Sequence, residues 1–228
     1  FGGKSGYFDG STDYLTTADS ADWDFGTGDF TIDLWLNQSV KVDTGRFIAA
    51  GSHTDNQIWW FGIVGTGSKL QSGYYDGSYH VYESSAFTWN VGDWHHAAIV
   101  RNGTNLSMYA DGVSVYSTTI SSGLAFNGGS SGAIVGARYY TSTSSVIELI
   151  NGYIDELRIS KDVARWTGNF TPPTSAYSST IVVIRSLFCS KSNIGELRDS
   201  QFMDTGDSKM YVNNINSTIS DNDDLIIG

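Results

Sequence analysis

Apolar and polar residues alternate along most of this chain, most sharply in Gly92–Thr118, GDWHHAAIVRNGTNLSMYADGVSVYST. A period of two is the signature of strands whose side chains point to opposite faces, so the stretch predicts strands over Trp94–Val100, Leu106–Ala110 and Val113–Tyr116. Asn102-Gly103 and Asp111-Gly112 separate them. Asx-Gly pairs suit two-residue hairpins, because both central residues of a type I′ turn need the positive φ that Gly, Asn and Asp tolerate. The three strands therefore read as a meander on which the rest of the chain must pack.

The flanking sequence supplies the other strands. Gly6–Leu15 alternates around an Asp-Gly pair and reads as an edge strand or a hairpin. Asp29–Asn37 puts Phe30, Ile32, Leu34 and Leu36 on one face and Thr31, Asp33 and Trp35 on the other. Arg46–Gly51 and Ile58–Val64 follow, the second apolar on both faces and so expected to be central. Lys69–Trp89 is wetter, its tyrosines set among polar neighbours. Gly132–Arg138 and Tyr153–Ile159 complete the set, and Val163–Tyr177 closes it with the stiff pair Pro172-Pro173. Strands recurring about every 8–15 residues without an amphipathic helix predict an all-β fold, a two-sheet antiparallel jelly-roll sandwich.

Composition narrows the partners. The net charge of −11 argues against nucleic acid and anionic membrane, both of which would repel the chain. No run reaches the roughly 18–20 apolar residues that span a bilayer, so membrane insertion is not expected. The single cysteine, Cys189, leaves no intrachain disulfide and no Cys-cluster zinc site, and its apolar surroundings suit an inert thiol. Phe1 is not an initiator, so the chain is expected to be a processed product or a fragment.

Candidate chemistry is sparse. His95 and His96 are adjacent in a strand, so one ring should face the core and the other solvent, while His53 and His80 are isolated. The aromatic set Trp59, Trp60, Tyr74, Tyr75, Tyr79, Tyr82, Tyr139 and Tyr140 bears on sugar binding, since pyranose rings stack their C–H faces on aromatic rings. About half of the set should be core. Tyr74, Tyr79 and Tyr139, with Gly and Ser neighbours, are expected to be exposed, and together with Trp60 they are the candidate glycan-binding residues. Asn-x-Ser/Thr sequons occur at Asn37, Asn102, Asn105, Asn169 and Asn216, with Asn102 and Asn105 at a hairpin tip as the candidate glycosylation sites.

The ordered series FDGSTDYL, GDFTIDLWL, GDWHHAAIVRNGTNLSMYADGV, IVGAR, NGYIDELRIS and VARWTGNFTPPT resembles the laminin-G-like branch of the concanavalin A-like lectin/glucanase jelly rolls. The resemblance covers residues 1–178 and implies a secreted, cell-surface or virion module with an adhesive, glycan-binding or structural role. It also implies a structural calcium ion (Ca2+) at Asp155, with Asp9 or Asp13 beside it. Glycosidases of the fold need paired carboxylates about 5–10 Å apart. Glu148 lacks the further acids of that pattern, and Asp155 and Glu156, as neighbours in a strand, should point to opposite faces. The expectation is therefore a non-catalytic module, with a ligand-free fibre or capsid-associated subunit and a polysaccharide hydrolase or lyase as alternatives. Residues 179–228 fall outside the resemblance. About fifty residues are too few for a core of their own, so this β-rich tail should dock on the jelly roll or assemble with a neighbouring subunit.

Overall fold

The computed structural model describes residues 5–52, 57–121, 126–129, 131–140 and 145–177, with two short tail strands at 187–188 and 224–227. His53, Cys189 and Asn216 lie outside the described residues. The strands are β1 (Gly6–Asp9), β2 (Leu15–Thr17), β3 (Phe30–Gln38), β4 (Thr44–Ser52), β5 (Gln57–Val64), β6 (Lys69–Tyr75), β7 (Tyr79–Glu83), β8 (Trp94–Asn102), β9 (Asn105–Ala110), β10 (Val113–Thr119), β11 (Ala133–Val135), β12 (Arg138–Tyr140), β13 (Ser145–Ile147), β14 (Asn151–Lys161), β15 (Leu187–Phe188) and β16 (Asp224–Ile227). One antiparallel sheet runs β1-β14-β3-β8-β9-β10, with β16 also on β14. The second runs β15-β2-β11-β4-β5-β6-β7, and β12-β13 forms a separate hairpin. The only helical turn among the described residues is a short 3₁₀ segment, Ala21–Trp23, and no helix is long and apolar enough to cross a membrane.

The core lies between the sheets. Phe30, Ile32, Leu34 and Leu36 of β3 face it as their alternation requires, against Phe47, Trp59, Phe61 and Ile63 of the second sheet. The meander forms as expected, but its two turns differ. Asp111 and Gly112 both take positive φ, whereas in the first turn Gly103 does and Asn102 does not. The pairing Asn102↔Asn105 makes Gly103-Thr104 the central pair, the arrangement with Gly leading that marks a type II′ turn.

Three local expectations are corrected. Gly6–Leu15 is neither one strand nor a hairpin: β1 joins the first sheet and β2 the second. The Asp9 carboxylate accepts hydrogen bonds from the backbone N–H groups of Ser11, Thr12 and Asp13, at 2.8, 2.7 and 3.0 Å, and this tight turn carries the chain across the sandwich. Gly132–Arg138 divides into β11 and the start of β12. Asp155 and Glu156 do not point to opposite faces. A register shift between Asp155 and Arg158 inserts a bulge in which Glu156 takes φ 52°, and both acids fall on the outer face, away from the inward Ile154 and Leu157.

That outer face is covered. Residues 162–177 cross it as a strap, packing Trp166 and Phe170 on Ala98, Val100 and Tyr109. Beneath the strap Arg158 makes two 3.0 Å hydrogen bonds to Asp33, the Tyr177 hydroxyl donates to the same carboxylate, and His96 Nε2 lies 3.3 Å from both. His96 is thus buried under the strap rather than between the sheets. His95 is half-buried, stacked on Trp89 at 4.9 Å and 2.9 Å from Asp111, so neither of the two rings is fully exposed. The Asp155 carboxylate accepts the neighbouring Glu156 N–H at 2.9 Å.

Candidate functional site

With one outer face covered by the strap, the other holds the aromatic residues. β4, β5, β6 and β7 lie side by side in the second sheet, and register decides which side chains share its outer surface. Trp60 stands opposite Gly73, Ile58 opposite Tyr75, and Tyr75 opposite Tyr79. Ala49, Ile58 and Trp60 form a small cluster separate from the main core, with Tyr75 packed against it. Tyr79 meets Trp60 edge-on at 6.2 Å and Tyr75 at 4.9 Å. Gly73 is required here, because a Cβ at that position would overlap the Trp60 ring and the His80 carbonyl. The indole packs against Gly73, with Tyr79 beside it at 56% exposure.

A charged group borders the aromatics. Arg46, opposite Gly62, lies on the same face two positions from Trp60, with its guanidinium carbon 5.6 Å from the indole centroid. Glu148 follows β13 with φ 59°, a left-handed conformation unusual for a residue with a Cβ. Its carbonyl accepts the Arg46 N–H at 2.9 Å, which aims its carboxylate at β4. Glu148 Oε2 accepts from Arg46 Nε at 2.6 Å and Arg138 Nε at 2.7 Å, and Oε1 from Arg138 Nη2 at 2.8 Å. Arg138 lies over Tyr140 at 5.5 Å. Burial pulls Arg46 below the usual arginine value, and Arg138 adds to this while Glu148 opposes it. Two guanidiniums share one carboxylate.

The expected sugar contacts separate. Trp60 and Tyr79 come together on this face, but Trp60 itself is 3% exposed. Tyr74, expected to be exposed, is also 3% exposed and belongs to the intersheet core, stacked on His80 at 4.3 Å and 5.0 Å from Phe126. Burial, reinforced by Tyr82, pushes its hydroxyl above the usual tyrosine range. Tyr139 is half-buried and alternates to the side of the β12-β13 hairpin opposite Arg138 and Tyr140. Asn102 and Asn105 are exposed at their hairpin tip, where the Asn105 amide bonds Ser107 and Ser117. Arg46, Arg138 and Glu148 were missed as members of the site, and Tyr75 and Tyr140 were not singled out. No motif marks them, and only the strand register brings them together.

The three proposed calcium ligands do not converge. Asp9 pairs with Asn151 in the β1-β14 ladder, so Asp155 lies four positions further on, about 13 Å at strand spacing. Asp9 and Asp13 do meet, each bonding the other's backbone N–H. Burial would raise the Asp9 carboxyl, but its hydrogen bonds to Thr12, Ser11 and Asp13 outweigh this and hold it well below the usual range. Burial and the Glu156 charge push Asp155 up. Among the described residues no three His, Cys, Asp or Glu side chains are grouped to hold a metal ion.

Comparison with known proteins agrees with this architecture. Residues 9–167 match the laminin-G family model of the concanavalin A-like lectin/glucanases superfamily. No curated protein matches the chain in sequence. Among solved structures, a candidate carbohydrate-binding protein from Bacteroides ovatus superposes with a TM-score of 0.55 at 18% identity, over 72% of this chain and 44% of that one. The chain thus spans less than half of that protein's length. The CBM40 module of the Ruminococcus gnavus IT-sialidase gives 0.58 at 12% identity, over 70% of this chain and 91% of that one. Its complex with α2,3 sialyllactose gives 0.53 at 10% identity, covering 70% and 92%. At these identities the likenesses establish the jelly-roll fold.

Proposed function

Since the chain belongs to the concanavalin A-like lectin/glucanase superfamily as a laminin-G-like domain, we propose that it is a non-catalytic, adhesive glycan-binding module whose ligand lies on the outer face of the second sheet. The observation that carries this is the asymmetry of the sandwich. The strap occupies one outer face, while the other presents Trp60, Tyr75 and Tyr79 from three adjacent strands. The exposed Tyr79 ring, set edge-on to the Trp60 indole, gives a sugar a stacking surface. The structural likeness to a module seen with bound sialyllactose supports the class of ligand.

The non-catalytic reading rests on the acids. Glu148 is held by two arginines, and Glu83 at the far edge bonds Lys69 and Gln71 at 2.7 and 3.3 Å. Neither is poised as a proton donor facing a second carboxylate. An extracellular, cell-surface or virion location accords with the ligand class. Docking of the tail on its own domain is supported by β16, whose Leu225 and Ile227 pair with Ile159 and Leu157 of β14.

A glycan array with the full chain and the Tyr79→Ala variant tests the reading. Binding that Tyr79→Ala weakens about tenfold or more is expected, as for loss of a stacked aromatic contact. Absence of binding to any glycan overturns it.

A further inference from the structure

We propose that this face selects sugars that carry a carboxylate, with Arg46 and Trp60 as the residues that recognise it. The inference rests on the glycan-binding reading of the same face and adds the charge class of the ligand.

It starts from two unmade hydrogen bonds. Arg46 Nη1 and Trp60 Nε1 are both buried, and neither has an acceptor among the described residues. Leaving such a donor unsatisfied destabilises the fold, more so where the group is charged. Buried orphans are therefore rare in folded proteins and call for an explanation by ligand, ion or water. Here two occur on one face, on adjacent strands, with the guanidinium carbon 5.6 Å from the indole centroid.

The charge balance identifies the missing acceptor. Arg46 commits Nε to Glu148, and the same carboxylate is shared with Arg138. Among the described residues, the ion pairs of this group set two guanidiniums on one carboxylate at a partly dehydrated site. Among the described residues Glu83 is paired with Lys69 and Asp76 with His80. A water molecule or a neutral hydroxyl would satisfy a donor without offsetting the charge. A carboxylate does both, since its two oxygens accept from separate donors and its charge matches the guanidinium. With Tyr79 and Trp60 beside that anion position, the ligand is an acidic pyranose, its carboxylate at Arg46 and Trp60 and its ring against Tyr79. Uronic and sialic acids share this chemistry.

The experiment titrates the full chain with 3′-sialyllactose and with trigalacturonate, each beside its methyl ester, and with lactose as the neutral control. At least one acid should bind about tenfold or more tightly than its ester, the size expected for a charge-assisted hydrogen bond, and added salt should narrow the gap. Which acid shows the preference distinguishes the two sources. Arg46→Gln should bring acid and ester to within about twofold while ester binding persists. Trp60→Phe, which keeps a ring but removes Nε1, should narrow the gap partially. If acid and ester bind equally well, the carboxylate inference falls and the glycan-binding reading stands. If no sugar in either form binds, both fall. A preference for the acid that survives both substitutions overturns the assignment to Arg46 and Trp60. The acid–ester comparison needs no variant, so a misfolded substitution leaves the test intact.

Discussion

Arg158 stands directly opposite Asp33 in the β14-β3 ladder and takes both of its carboxylate oxygens at 3.0 Å, while its guanidinium lies 3.8 Å from the centroid of the Tyr177 ring. The pair ties the strap to the sheet. Removing one partner leaves the other charged and buried, so Asp33→Ala should destabilise the fold by about 3–5 kcal/mol in denaturant titration. Replacing both by apolar residues of similar volume should recover much of that loss.

The same carboxylate sets an acid limit. Burial alone would raise the Asp33 carboxyl, but hydrogen bonds from His96 and Arg158 and the Arg158 charge outweigh it and hold it below the usual range. A folded value below the unfolded one contributes stability that is complete above the unfolded pKa and is lost as pH falls towards the folded one. Thermal stability should therefore decline below about pH 4, the unfolded aspartate value. The decline should be shallower in Asp33→Asn, which starts from a lower plateau.

Asp155 has the opposite sign. Burial and the Glu156 charge raise its carboxyl, so its ionisation weakens the fold above the unfolded aspartate value, and the penalty is complete once pH passes the folded one. Asp155→Asn keeps an oxygen for the Glu156 N–H and should raise Tm at pH 8. With the three acids too dispersed to share an ion, a chelator should leave Tm unchanged. A chelator-dependent fall would show that calcium binds at other residues.

Tyr74 and Tyr79, five residues apart, should respond in opposite ways to truncation. Tyr79→Ala, at an exposed position, should alter stability by no more than about 0.5 kcal/mol while weakening sugar binding. Tyr74→Ala empties a core position and should cost about 3–5 kcal/mol. Denaturant titration of the two variants separates them.

Gly73→Val should disturb the site without touching a ligand, because its side chain would displace the Trp60 indole. A cost of about 1–3 kcal/mol is expected for such overpacking, with a shift in Trp fluorescence and loss of sugar binding.

How far these residues could be read from sequence depends on what fixes their faces. Within a strand, alternation suffices: Phe30, Ile32, Leu34 and Leu36 all face the core, and the Asp111-Gly112 turn closes the β9-β10 hairpin with both residues at positive φ. Between strands, register decides, and a shift of one residue exchanges the two faces. The turn after β5 holds Gly65, Thr66 and Gly67, all at positive φ, and it pairs Val64 with Lys69. That register sets Trp60 opposite Gly73 and turns Tyr74 to the core beside Trp59. Its neighbour Tyr75 therefore joins Trp60 outside. Gly and Ser neighbours are poor guides to exposure here, since Gly73 marks the close approach of an indole. Arg46, Arg138 and Glu148 come from three separated segments and carry no local signature. The β14 bulge likewise depends on Glu156 adopting φ 52°, which its flanking residues do not signal.

The strap also fixes an orientation. Tyr177 is anchored on the first sheet, so the strap and the Trp60–Tyr79 surface lie on opposite outer faces, with both sheets between them. Attachment through the strap face and capture of a sugar therefore use opposite poles of the domain. Copies fixed in an array by that route would all turn their aromatic side outward, and many weak contacts could then add up to firm attachment.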